Sequence, residues 1–221
     1  MLIELRPEEA DEMLPIAPTW EQYVEYWSDP QRSTGRILTS LLVGGLLLLL
    51  SRLFTEDEVG FFGAIVLLGG FLALLYPFLF GPLYVIGRRN LAFRDIPYTG
   101  LFFGKVLRLR RLTVLVEERE RMDEAGELYI EEIRERQLEI EIGDETGLTF
   151  MFRVPNQPRY DAIVKQQSVL ALVKSTSADL QQRPALSEIY VVKLQEWVGN
   201  TSYLIREKFL DLANQVLDEV Q

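Results

Sequence analysis

Three groups of side chains have types and spacing that point to chemistry. Arg88, Arg89 and Arg94 open a run, residues 88–111, with seven bases against one acid, or +6. Guanidinium groups clustered beside an apolar segment attract the phosphates of anionic lipid, at about 1 kcal/mol per charge near the surface. Trp20, Tyr23 and Trp27 recur at helical spacing in "TWEQYVEYWSDP". Amphipathic rings of this kind settle at the boundary between headgroups and hydrocarbon. Ser40 with Gly44, and Gly69 with Ala73, are small residues four apart inside apolar runs. That spacing lets two helix backbones approach closely.

The chemistry that is missing narrows the function further. The chain has no Cys and no His. It therefore lacks thiolates, disulfides, the usual general base near neutral pH and the usual ligands of zinc. No phosphate loop, nucleophile elbow or calcium loop is present, and Gly44-Gly45 and Gly69-Gly70 lie within apolar runs. The expectation is a non-catalytic protein with no metal and no cofactor. A net charge of −10 also argues against nucleic acid as a partner, because phosphate must be neutralised by Lys and Arg.

These groups need elements to hold them. Residues 37–54 form an apolar run without a charge before Arg52, and residues 61–86 form a second with no charge at all. A helix needs roughly 20 apolar residues to cross a bilayer. The sequence predicts a transmembrane helical hairpin whose loop carries Glu56, Asp57 and Glu58. Arg32, Arg36 and the arginines after the second run place both termini in the cytoplasm. Pro77 and Gly81-Pro82 are expected to bend or end the second helix. A leader that is net acidic over 36 residues, with no A-x-A site after the first run, argues against a signal peptide.

Residues 1–36 read as a cytoplasmic segment with an interfacial helix. Thr19 and Gln22 form its capping box, and Pro30 ends it. Packing of the aromatic stripe on the protein's own cytoplasmic domain accounts for it equally well. Residues 87–221 read as a cytoplasmic α+β domain, a small antiparallel β roll or barrel closed by a helix near 202–220. "LEIEI" alternates as a strand does, while residues 127–137 also suit a helix. Residues 117–145 hold thirteen acids and four bases, or −9. Solvated strand faces or an acidic docking surface both account for them.

"LPIAPTWEQYVEYWSDP", "GPLYVIGRRNLAFRDIPYTGLFFGKV" and "LQEWVGNTSYLIREKF" together resemble a family of two-span proteins from cyanobacteria and related plastids, often labelled "phosphate ABC transporter permease". The label sits badly with two spans that carry no intramembrane polar site. What the resemblance implies is a photosynthetic membrane, the thylakoid, and an integral membrane complex as partner, such as photosystem subunits. The leading expectation is an accessory or assembly protein of such a complex. A transporter subunit and a membrane-surface enzyme remain the alternatives.

Overall fold

The computed structural model describes residues 1–28, 30–54, 60–122, 128–180 and 184–220, without the side chains of residues 31, 32 and 217–220. The chain divides into two compact units, one of Met1–Met13 with Ile96–Gln221 and one of Leu14–Asp95. The leader is thus shared between them.

The first unit is α+β, with an antiparallel curled sheet and a C-terminal helix. Its elements are β1 (Leu2–Glu4), α1 (Pro7–Met13), β2 (Tyr98–Met122), β3 (Leu128–Gly143), β4 (Thr149–Pro155), β5 (Ser168–Ser175), β6 (Ala185–Val191), β7 (Glu196–Val198) and α6 (Arg206–Val220). The spatial order is β4-β3-β2-β5-β6-β7, with β1 also on β2. Phe102, Val106, Ile140, Ile142, Val169 and Ile189 are among the buried residues of its core. Leu170 and Leu172, at the alternate positions of β5, are buried too, so this strand is covered on both faces. Its continuous apolar run has that cause. The two sheet edges are bridged by a side chain: the Asn200 amide donates to the Arg153 carbonyl at 3.0 Å.

β2 runs far beyond its other neighbours. It pairs with β5 only through Lys105, and β3 pairs with β4 only from Gln137 onward. The ladder between β2 and β3 continues to Met122 and Leu128. Ten residues of β2, 113–122, therefore form a two-stranded arm about 33 Å long. The helix reading of residues 127–137 gives way to strand from Leu128, because pairing with β2 overrides local propensity. Most of the turn expected after β2 lies at residues 123–127, outside the described residues.

The second unit is helical: α2 (Trp20–Trp27), α3 (Pro30–Ser51), α4 (Gly60–Leu75) and α5 (Phe80–Arg94). Within α3, Ser33–Ser51 is long and apolar enough to cross a membrane. The second expected span is not one helix. It breaks after Leu75, and α4 and α5 are bent by 59°. Pro77 lies in the break, and Pro82 lies in the first turn of α5, where its missing N–H costs no helical bond. Pro30 does not end α2; it opens α3, a position its ring suits. The acidic loop at Glu56, Asp57 and Glu58 lies outside the described residues.

Candidate functional site

The expected site residues all fall in the helical unit. The capping box of α2 forms as its sequence requires, with the Gln22 N–H donating to Thr19 Oγ1 at 3.4 Å and the Thr19 N–H to Gln22 Oε1 at 3.0 Å. The same Gln22 side chain is buried against Asn90 of α5. Gln22 Nε2 donates to Asn90 Oδ1 at 2.8 Å, and Asn90 Nδ2 returns a bond at 3.1 Å. Each amide satisfies the other, which a buried amide must have.

This clasp pins α2 onto α5. Tyr23 Oη donates to the Phe78 carbonyl at 3.2 Å, and Trp27 stacks on the Phe78 ring at 5.4 Å. Trp20 remains 73% exposed. Arg36, from α3, donates to the Tyr26 carbonyl at 2.7 Å and lies over the Tyr26 ring at 3.7 Å. The bend after Leu75 is thus buttressed by aromatic and cation–π contacts from α2 and α3.

The arginines divide. Arg89 pairs with Glu25 at 2.9 Å, and Arg94 donates to the Leu14 carbonyl at 3.1 Å. Both therefore hold the helical unit together. Arg88 is exposed and donates to the Tyr84 hydroxyl at 3.3 Å. The rest of the basic run belongs to β2, where Arg108 faces Glu141 at 3.4 Å and Arg111 faces Asp161 at 2.8 Å. A run of charge along the sequence says nothing of the acids that neighbouring segments bring alongside. Of the three arginines expected at anionic lipid, Arg88 is the one left outward-facing.

The small residues do join α3 to α4. Ser40 Oγ donates to the Ala73 carbonyl and, at 3.2 Å, to that of Leu74. A Cβ on Gly44 would come within 3.0 Å of the Gly70 carbonyl oxygen. Gly69 is not at this closest approach; a Cβ there would meet only a Leu47 methyl at 4.0 Å. Where α5 turns away, an open groove of about 880 Å³ remains against α3, walled chiefly by apolar side chains such as Val43, Leu72 and Leu83.

The α+β unit holds one group that the sequence did not announce. Glu188 of β6 is 1% exposed. Its carboxylate accepts the Tyr203 and Leu204 N–H groups at 2.8 and 3.4 Å, with Arg206 Nε at 3.8 Å. Burial pushes its pKa up to about 7, against these donors. The carboxyl fastens the segment that leads into α6. Glu188 sits in an ordinary alternating strand, so no motif signals it. Among the described residues no cluster of acids could hold a metal ion.

Residues 3–219 match the model of a family of unknown function (DUF8619), and the chain belongs to that family. No curated protein and no solved structure matches it.

Proposed function

We propose that this protein is a membrane-anchored docking component, an accessory or assembly protein of a larger integral membrane complex, with no catalysis of its own. The observation that carries the reading is the apolar surface left uncovered by the helical unit. Leu38, Leu42, Leu46 and Leu49 of α3 and Phe61, Ile65, Leu68 and Phe71 of α4 are all exposed. Contiguous apolar surface on that scale calls for hydrocarbon or a partner.

In this reading α3 crosses the bilayer. α4 makes the return crossing and gains its last turn from residues 76–79, with the bend at the headgroup level. Both termini face the cytoplasm. The β2–β3 arm supports docking, since it reaches well past the core that it leaves and ends in the exposed side chains of Met122, Leu128 and Ile130. The resemblance described above makes the thylakoid, and photosystem subunits in particular, the first place to seek the partner.

The test is affinity isolation of the tagged protein from mildly solubilised membranes after an alkaline carbonate wash. Retention through the wash and co-isolation of photosystem subunits are expected. Release by carbonate removes the anchor reading. Isolation with a nucleotide-binding subunit instead favours a transporter.

A further inference from the structure

We propose that the groove at the bend between α4 and α5 is a lipid site: it seats one acyl chain of an anionic glycerolipid, whose phosphate meets Arg88. This rests on the anchored reading above. The groove is open on one side and offers about 880 Å³, within the range of small-molecule sites, and its wall is overwhelmingly apolar. Water gains little there, because few polar groups receive it.

Three features select this occupant. The groove has the polarity of an amphiphile. Val43, Leu72, Phe80 and Leu83 supply apolar wall, and Tyr84 lines it too, with its hydroxyl bonded to Arg88 one turn further along α5. Next, Arg88 is exposed and pairs with no carboxylate among the described residues, whereas Arg89 is engaged by Glu25. Its five-donor fork suits a phosphate. Finally, the groove lies where α5 leaves α4 at 59°. A flexible chain follows such a corner. A partner helix, a straight rod about 10 Å across, does not.

The test uses the full-length protein, purified in detergent, delipidated, and offered phosphatidylglycerol or phosphatidylcholine with identical chains. Native mass spectrometry reads the bound lipid. The wild type is expected to hold one lipid and to prefer phosphatidylglycerol about fivefold, the worth of one charge near a membrane surface. Arg88→Gln should erase the preference yet keep the chain. Thr39→Trp, which fills the groove from an exposed position, should remove both lipids. Leu49→Trp, on an exposed position that does not line the groove, should change neither. Equal retention of the two lipids by wild type overturns the proposal, as does undiminished binding by Thr39→Trp. If Thr39→Trp keeps its lipid but loses a membrane protein that co-isolates with wild type, the groove belongs to a helix and the proposal falls. Because binding is read in micelles, this outcome is separable from failure of the carbonate test.

Discussion

Glu188 ties the stability of the α+β unit to pH. Burial pushes its pKa up to about 7 from an ordinary 4.5. Between those values the unfolded chain gives up its proton and the folded chain keeps it. Stability therefore falls as pH rises from about 4.5 to 7 and is level above that. Glu188→Gln should flatten the slope, a change on the order of 3 kcal/mol across the window. Urea unfolding at pH 5 and pH 8, followed by Trp197 fluorescence with Trp20 and Trp27 replaced by Phe, checks this. Equal slopes in variant and parent would refute it. Nothing about Glu188 was legible in the sequence, because its burial comes from residues 199–206, which fold back over β6. A Cβ on Gly199 would come within 2.7 Å of the Glu188 Cβ, which shows how closely that segment passes. The capping box of α2 was legible, because both partners lie three residues apart. The second task of Gln22 was not, because Asn90 is 68 residues away.

At the scale of elements, the hairpin and the arm make separate predictions. A Cβ at Gly70 would meet the Leu48 side chain at 2.8 Å and the Gly44 carbonyl at 3.2 Å. Gly70→Val should therefore splay α3 from α4 and lower the melting temperature in micelles. Gly69→Val should leave it nearly unchanged. Similar losses in both variants would mean that the helices meet elsewhere. Of the expected pair on α4, Ala73 meets Ser40, while the closest backbone approach falls at Gly70 rather than Gly69, since the two glycines are indistinguishable without the partner helix. The arm reads as strand by its β2 half, while Glu and Arg in its β3 half mimic a helix. Replacing residues 114–135 with Asn-Gly joins Thr113 to Arg136, which already face each other. The buried residues of β2 and β3 lie outside the deleted stretch. The shortened protein should keep its circular dichroism spectrum and membrane retention while losing its partner. Loss of folding would show that the arm belongs to the core, and full retention of the partner would show that docking happens elsewhere.

At the scale of the molecule, apolar runs and Arg placement predict topology. Glu58→Cys in a chain with no native cysteine should react with an impermeant maleimide only from the lumenal side. Labelling from the cytoplasmic side reverses the orientation. Hydropathy separates a helical from an α+β part, but neither boundary was legible. The second unit begins at Leu14 rather than 37, and ends at Asp95 rather than 86, because α5 continues past the apolar run. β1 and α1 are too short to show periodicity, and they belong with parts of the chain far downstream: Leu2 pairs with Phe102, and the Ile205 N–H donates to the Met13 carbonyl. The helical unit is thus an insertion, and the chain passes between the units twice, at residues 13–14 and 95–96. During synthesis, β1 and α1 leave the ribosome well before β2 and the chain before α6, and have no partner until those are made. In the anchored reading proposed above, the helical unit reaches the bilayer while the ends of its companion are still apart. Residues 1–13 wait unpaired until then, open to chaperones and proteases. Once the sheet has closed over them, two covalent leashes join the halves, and a protease that cuts one leaves the α+β unit still tethered by the other.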